Sequence, residues 1–237
     1  MTNKHALISG GTRGIGLAIA QMLAQQGFNV ATFARTQSEL DTFAGKMAEY
    51  NVQILTLQGD AHDDEFLQQT VAETVQKFGG LSTLINNAGG GKKGTVAECS
   101  LSDWDQILDV NLRAAMVLTK ICLPHIIKAT PSAIINIASI AGKTGFAGSS
   151  AYCASKFGLV GFTQSLFEEI REHGTKVCAI CPGYVDTALI PQRKALRREE
   201  MIQASDVAQA VAFVLAMSAS ACPTEIIIRP QRDPFRK

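Results

Sequence analysis

Excess charge of either sign is the first thing this sequence lacks. Its 22 lysines and arginines almost balance its 21 aspartates and glutamates, so the formal net charge of the 237 residues is only +1. A chain so balanced has no global electrostatic field with which to attract nucleic acid or an anionic membrane. It also contains no uninterrupted apolar run long enough to cross a bilayer. We therefore expect no nucleic acid and no membrane as partners.

Clustered cysteines and histidines are also missing. The six cysteines are spread through apolar runs and the first residues show no secretory leader, so we expect reduced thiols and a cytoplasmic location. Cys178 and Cys181 lie three apart in a strand-like run, where they would face opposite sides, which predicts core thiols rather than a metal pair. The four histidines form no sequence cluster with carboxylates or thiols. We predict no metal site and no catalytic histidine.

Internal repeats, linkers and low-complexity segments are absent as well, and 46% of the residues are hydrophobic. Such a chain can bury one large core, so residues 1–237 are expected to form one domain. What the sequence does contain is an alternation of strand-like and helix-like segments. Strands are predicted at 6–9, 28–34, 52–57, 81–85, 133–138, 177–181 and 225–229, and one long helix from Ser102 to about 123. The alternation predicts an α/β fold with a doubly wound parallel sheet.

A glycine-rich turn follows the first strand and opens an amphipathic helix. It reads Gly10-Gly11-Thr12-Arg13-Gly14-Ile15-Gly16. Glycines let the backbone approach a pyrophosphate, and a helix N-terminus presents free N–H groups and partial positive charge. In this context the spacing of Gly10, Gly14 and Gly16 predicts a dinucleotide-binding turn rather than a plain tight turn.

The second strand ends in Arg35 and Thr36 and not in an acid. In dinucleotide-binding folds an acid at this point binds the ribose 2′-hydroxyl, whereas arginine accommodates a 2′-phosphate. Arg13, in the glycine turn, would be a second cation nearby. The pair favours NADP(H) over NAD(H); the alternative is that both arginines are solvated surface residues.

Tyr152 and Lys156 are four residues apart in a segment that is predicted to be helical to about 173, so their side chains would share one face. A phenol ordinarily titrates near pH 10, and a nearby ammonium would lower its pKa toward the range where acid–base catalysis is effective. Ser139 follows the fifth strand, at the edge where ligands bind in open α/β sheets. Alone, Tyr-x-x-x-Lys would be an ordinary helix; together with the glycine turn, it indicates proton transfer at a carbonyl or alcohol.

These motifs, in this order, resemble the short-chain dehydrogenase/reductase family, including its 3-oxoacyl-[acyl-carrier-protein] reductase-like members. The matching segments are the glycine motif at 9–16, Asn-Asn-Ala-Gly at 86–89, Pro-Gly at 182–183, and the catalytic positions Asn111, Ser139, Tyr152 and Lys156. The resemblance extends from residue 6 to about 187 and, more loosely, to 229. It implies a Rossmann fold and an oxidoreductase that interconverts a carbonyl and an alcohol.

The resemblance also implies a role for each matched residue. Tyr152 would donate the proton in a reduction, Lys156 would bind the nicotinamide ribose and lower the pKa of Tyr152, and Ser139 would hold the substrate oxygen. Asn111 would position a water that relays protons. Asp60 and Ala61 would contact the adenine, residues 87–89 the adenosine ribose region, and Val185 and Thr187 the nicotinamide amide. The full set of cofactor contacts would be Gly10, Thr12, Arg13, Gly14, Ile15, Gly16, Arg35, Thr36, Asp60, Ala61, Asn87, Ala88, Gly89, Val185 and Thr187, together with Tyr152 and Lys156.

The chain departs from the family pattern at three points. The segment between Thr187 and Asp206 is short, which indicates a relatively open substrate site. Ser9 stands where the motif has threonine, and an Arg- and Pro-rich tail follows the last strand where many relatives have Asp-Gly-Gly. The basic residues at 193, 194, 197 and 198 indicate a solvated segment or, less simply, a phosphate or acyl-carrier docking patch.

The resemblance implies a homodimer or homotetramer, for which Ala114, Ala115, Gly158 and Gly161 would allow close helix packing. We predict an NADPH-dependent carbonyl reductase acting on a small-molecule substrate. Two alternatives stay open: an NAD-dependent alcohol dehydrogenase, and a dinucleotide-binding sensor or scaffold without catalysis.

Overall fold

Seven parallel strands form the central sheet of the computed structural model, which describes residues 4–188, 190 and 196–235. The strands run in the spatial order β3-β2-β1-β4-β5-β6-β7. They are β1 (His5–Ser9), β2 (Asn29–Ala34), β3 (Ile54–Gln58), β4 (Thr83–Asn86), β5 (Ser132–Ile137), β6 (Thr175–Pro182) and β7 (Glu225–Ile228). The predicted doubly wound parallel sheet is confirmed.

Helices cover both faces of this sheet. They are α1 (Gly14–Gln25), α2 (Gln37–Met47), α3 (Asp64–Phe78), α4 (Leu101–Leu108), α5 (Ala114–Ile126), α6 (Ser150–Ile170) and α7 (Ala204–Ala216). Ile19 of α1 and Val207 of α7 belong to the core on one face. Leu67 of α3, Leu118 of α5 and Leu166 of α6 belong to the core on the other. Strands covered on both faces explain why most of the predicted strands read as continuous apolar runs.

The strand order reverses between β1 and β4. From β1 the chain first builds outward through β2 and β3, and then returns to place β4 on the other side of β1. Ser9 and Asn86, the last residues of these two strands, are paired side by side. Ligands bind outside the carboxyl ends of the strands at such a switch point. The glycine turn and the Asn-Asn-Ala-Gly segment therefore leave the sheet together, at the expected position of a ligand site.

The prediction of one long helix from Ser102 to about 123 is wrong about where the helix begins and about its continuity. Helix α4 is capped by Ser100, whose hydroxyl accepts a hydrogen bond from the N–H of Asp103 at 3.2 Å while the Asp103 carboxylate accepts one from the N–H of Ser100. This reciprocal capping needs an acid three residues after the cap, which fixes the cap at Ser100. The helix is then interrupted by a π-helical turn, Asp109–Arg113, before α5 begins. Pro124 lies in the last turn of α5 and does not end it.

Candidate active site

The glycine turn is held in a shape that requires small residues. Gly10 and Gly14 have φ values of 67° and 54°, which side chains rarely allow. A Cβ on Gly16 would overlap the carbonyl oxygen of Gly10. The Thr32 hydroxyl on β2 accepts a hydrogen bond from the N–H of Gly11 at 3.0 Å and donates one to the Ile8 carbonyl at 2.8 Å. Hydrogen bonds and packing within the chain therefore hold the turn in this shape.

The N-terminus of α1 is suited to an anion. Arg13 occupies the N-cap position without a side-chain capping hydrogen bond, and the first turn of α1 contains no acidic residue. The first N–H groups of a helix lack partners within the helix and carry partial positive charge. Phosphate groups bind at such a terminus.

Ser9 joins the glycine turn to the Asn-Asn-Ala-Gly segment. Its hydroxyl accepts hydrogen bonds from the N–H groups of Asn87 and Ala88, each at 3.0 Å. The Asn87 amide in turn donates to the carbonyls of Ser9 and Gly10, at 3.2 and 2.8 Å. A hydroxyl is all that this position needs, so serine can stand where the family motif has threonine.

Asn111 lies in the π-helical turn and fixes the loop after β4. Its side chain is only 1% exposed. Its amide nitrogen donates to the Gly90 carbonyl at 2.8 Å and to the Ser155 hydroxyl at 3.1 Å, and its amide oxygen accepts from the Gly90 N–H at 2.8 Å. Asn111 therefore ties the loop at Gly90 to α6, the helix that carries Tyr152 and Lys156.

Lys156 is buried beneath the site, at 4% exposure. Its ammonium donates to the Ile137 carbonyl at 2.9 Å and lies 5.9 Å from the centre of the Tyr152 ring. Burial lowers the pKa of Lys156 to about 8, because a low-dielectric surrounding disfavours the charged form. The lysine thus titrates close to neutral pH.

The pKa of Tyr152 stands above its ordinary value, which corrects the expectation that Lys156 would depress it in this structure. The main cause is burial of the phenol, and the Ser139 hydroxyl acts in the opposite direction. Ser139 follows β5, and its hydroxyl also accepts from the N–H of Ala141 at 3.1 Å. The Tyr152 ring lies against Gly91, where a Cβ would stand 3.2 Å from the ring. Tyr152 is therefore a neutral phenol between Ser139 and the loop after β4.

The opposite end of the site carries the residues predicted for the adenosine. A narrow cavity there is lined by Ser9, Phe33, Ala61, Leu67, Ala88, Val110, Ala114, Ala115 and Leu118. Asp60 accepts hydrogen bonds from the ring and the N–H of His62, at 2.7 and 3.1 Å. Burial raises the pKa of Asp60, but the His62 bonds and the nearby Arg35 charge outweigh it, so the net shift is downward. Arg35 itself is exposed, and Thr36 is the N-cap residue of α2.

Arg13 has a partner that the sequence did not reveal. Its guanidinium pairs with the Glu39 carboxylate at 3.2 Å, and the two side chains are 73% and 38% exposed. Glu39 lies in the first turn of α2, the helix that begins directly after Arg35 and Thr36. An acid therefore pairs with one of the two arginines that were expected to bind a 2′-phosphate.

Val185 and Thr187 close the site from the side of β6. Val185 forms a parallel bridge with Ile202. The methyl group of Thr187 approaches the glycine turn, where a Cβ on Gly14 would stand 3.3 Å from it. The residues predicted for the pyrophosphate and for the nicotinamide thus lie against each other at one edge of the sheet.

A model of the family described as short chain dehydrogenase matches residues 4–197. The chain belongs to the short-chain dehydrogenase/reductase family. It is 31% identical to an uncharacterised oxidoreductase of Staphylococcus aureus (strain MRSA252), over 97% of this chain and 98% of that protein.

Two further family members show how far the similarity extends. The 3-oxoacyl-[acyl-carrier-protein] reductase FabG of Staphylococcus aureus (strain Mu50 / ATCC 700699) is 29% identical over 91% of this chain and 92% of that protein. A variant of actinorhodin polyketide ketoreductase solved with NADPH superposes with a TM-score of 0.90 at 30% identity, covering 96% of each chain. These relatives support an oxidoreductase acting on CH–OH or C=O groups.

Sequence reasoning missed the buried network that supports the site in this family member. The Asn86 side-chain amide donates to the side-chain amide oxygen of Asn136 at 2.8 Å and to the Thr119 hydroxyl at 2.9 Å. The Asn136 amide donates to the Thr163 hydroxyl at 2.8 Å. The network joins β4 and β5 to α5 and α6. An asparagine inside the apolar run at 133–138 was the signal that could have revealed it.

Two sequence predictions about surface residues need correction. Arg198 is no freely solvated charge, because its guanidinium bonds the Asp186 carboxylate and, at 2.7 Å, the Ile190 carbonyl. Arg193 and Lys194 lie outside the described residues.

The second correction concerns the small residues that were expected to allow close helix packing between subunits. Gly158 faces inward, where a Cβ would stand 2.8 Å from the Leu112 side chain, and Ala114 and Ala115 are buried within the chain.

Neither a membrane helix nor a metal cluster is found in the described part of the chain. No helix there is both long and apolar enough to cross a bilayer. No group of three or more His, Cys, Asp or Glu side chains comes together there to hold a metal ion.

Proposed function

We propose that the protein is an NADPH-dependent reductase that converts a ketone or aldehyde, including a 3-oxoacyl group, to an alcohol. The observation that carries this proposal is the convergence of Ser139, Tyr152, Lys156 and Asn111 around one space at the switch point of the sheet. Tyr152 supplies a neutral phenol, Ser139 a hydroxyl and Lys156 a buried ammonium, which are the groups that the reduction of a carbonyl needs. The similarity to a ketoreductase solved with NADPH supports the reductive direction.

The residues present fit a nicotinamide dinucleotide phosphate. The glycine turn leaves no room for side chains at Gly16, and the start of α1 offers N–H groups without a competing acid in its own first turn. Arg35 is exposed where a 2′-phosphate would lie. The bound dinucleotide would supply the hydride. Ser139 would hold the substrate oxygen against that donor.

In a reduction, carbon receives the hydride and oxygen receives a proton. Tyr152 is the group that holds this proton at its phenol oxygen, and its raised pKa keeps the proton there until the oxygen becomes basic. Lys156, whose pKa is about 8, can then return a proton to the phenolate near neutral pH. Asn111 bonds both the loop at Gly90 and helix α6, and so holds the two in fixed positions for this transfer.

The first test is titration of the purified protein with NADPH and NADH, followed by fluorescence. We expect tight NADPH and weak NADH binding, because Arg35 and Arg13 provide positive charge for the 2′-phosphate. A preference for NADH would support the NAD-dependent alcohol dehydrogenase instead. Failure to bind either dinucleotide would overturn the proposal.

The second test is Tyr152→Phe, assayed with NADPH against a set of ketones and 3-oxoacyl thioesters. The variant should retain NADPH affinity and lose turnover by about 10²- to 10⁴-fold, the usual contribution of a positioned proton donor. If Tyr152→Phe turns substrate over normally, the role of Tyr152 is wrong. If the wild-type protein binds NADPH and reduces none of these carbonyl compounds, the scaffold or sensor alternative gains support.

Assembly into a homodimer or homotetramer stays a prediction of the family resemblance. The inward-facing Gly158 no longer supports it, but Gly161 on α6 meets open space. Met116 on α5 and Phe157 on α6 are 42% and 47% exposed. Sedimentation of the purified protein would measure the state directly.

A further inference from the structure

Strands β6 and β7 are neighbours, and the two segments that follow them leave the sheet in contact. The N–H of Gly183 donates to the Ile228 carbonyl at 2.8 Å. A Cβ on Gly183 would stand 3.0 Å from the ring of Pro230. We call residues 229–235 the tail, and the described residues 183–188, 190 and 196–202 the nicotinamide-side segment.

The tail contacts the nicotinamide-side segment near both of its ends. The Phe235 ring meets the Tyr184 ring edge-on, with centroids 4.8 Å apart and planes at 75°. The carbonyl of Pro234, a buried residue, accepts a hydrogen bond from the N–H of Arg197 at 3.0 Å. Arg232 approaches the Glu200 carboxylate at 3.4 Å, although the arginine is 71% exposed. The aromatic and backbone contacts are the stronger ones, because exposed ion pairs contribute little.

The start of the nicotinamide-side segment is also tied to its own end. The N–H of Asp186 donates to the Ile202 carbonyl at 2.8 Å, and the N–H of Ile202 donates to the Tyr184 carbonyl at 3.0 Å. Arg198 adds its bonds to Asp186 and Ile190. Tyr184 is therefore linked through Ile202 and Asp186 to Thr187, whose methyl group lies beside the glycine turn at Gly14.

We propose that the tail is an intramolecular clasp that positions the nicotinamide end of the site, with Phe235 and Pro234 as its positioning residues. The inference rests on the proposed function, because the nicotinamide-side segment matters only if a dinucleotide binds beside it. The clasp acts on Tyr184 and Arg197, and through them on Val185 and Thr187. It leaves the adenosine end of the site, around Asp60 and Arg35, untouched.

The binding test compares Phe235→Ala with the wild-type chain for two ligands. NADPH reaches the nicotinamide-side segment, whereas 2′,5′-ADP reaches only the adenosine end. Loss of one aromatic contact should weaken NADPH binding by about two- to tenfold and leave 2′,5′-ADP binding unchanged. Phe213→Ala is the matched control, because Phe213 is 54% exposed on α7 and lies outside the proposed clasp. Equal weakening of both ligands, or of neither, would overturn the clasp.

A second measurement needs no cofactor. Trypsin cleaves after lysine and arginine, and the described part of the nicotinamide-side segment contains Arg197, whose N–H bonds the Pro234 carbonyl, and Arg198, which bonds Asp186. Releasing the clasp should raise the rate of cleavage at these sites by about two- to tenfold in Phe235→Ala but not in Phe213→Ala. Unchanged cleavage would refute the clasp even if NADPH binds. If the wild-type chain binds no dinucleotide, the proposed function fails, while the trypsin rates still decide whether the tail restrains the segment.

Discussion

At the scale of single residues, Glu39 is the acid that competes for Arg13. Replacing it by glutamine frees the guanidinium and removes a negative charge from the expected 2′-phosphate position. Exposed ion pairs are worth about 0.2–1 kcal/mol, so we expect Glu39→Gln to tighten NADPH binding roughly two- to fivefold. NADH binding should change less, because NADH lacks the phosphate. Fluorescence titration of both dinucleotides measures the two effects.

Asp41→Asn is the control for Glu39→Gln. Asp41 lies on the same helix, accepts a hydrogen bond from Gln37, and its replacement changes the net charge by the same amount. The gain should also shrink as salt is added, because the charges involved are exposed to solvent. Equal gains from Glu39→Gln and Asp41→Asn would show that net charge, and not the Arg13 pair, sets the affinity.

At the scale of secondary-structure elements, the Asn86–Asn136–Thr163 network joins two strands to α6. Asn136→Ala would leave the Asn86 amide and the Thr163 hydroxyl each short of one partner in a buried site. A buried polar group left without its partner costs about 1–3 kcal/mol, so unfolding in denaturant should show a loss of this size. Ser132→Ala on the same strand is a milder change, because it removes a single hydroxyl contact, to Thr175. A smaller loss for Asn136→Ala than for Ser132→Ala would contradict the network's importance.

The elements show where sequence reasoning succeeds and where it fails. The strands were predictable because strands covered on both faces produce apolar runs that are local in sequence. The π-helical turn at Asp109–Arg113 was not, because no local pattern marks it; its Asn111 bonds Gly90, which is 21 residues away. The contacts of Glu39 with Arg13 and of Phe235 with Tyr184 could not be predicted for the same reason, because each joins residues that are far apart in the sequence. Motif spacing located the candidate site residues, whereas their partners are set by tertiary packing.

At the scale of the whole molecule, the pH dependence of stability sums over every buried titratable group. Lys156 has a pKa of about 8 in the folded chain and about 10.5 when unfolded. Between these values the unfolded chain binds more protons, so the lysine makes stability rise with pH. Burial raises the pKa values of Cys178 and Cys181 above their ordinary value near 9, to about 12 and about 11, so these thiols make stability fall as the pH rises through 9. Cys122, whose pKa burial also raises, adds to this fall, which begins as the unfolded thiols start to ionise below pH 9. In the window from pH 8 to pH 9 the lysine's contribution is therefore read as the difference between the wild-type chain and a variant that lacks Lys156.

Lys156→Met should remove the rise in that window. Each pH unit between the two pKa values is worth about 1.4 kcal/mol, so the wild-type chain should gain about 1 kcal/mol between pH 8 and pH 9 relative to the variant. The measurement is denaturant unfolding of both proteins without cofactor at pH 7, 8 and 9. The difference in slope, not the absolute stability, is the readout, so a variant that is stabler or weaker overall still gives an answer. Parallel pH profiles would mean that Lys156 keeps an ordinary pKa in the folded chain and cannot return a proton to Tyr152 near neutral pH.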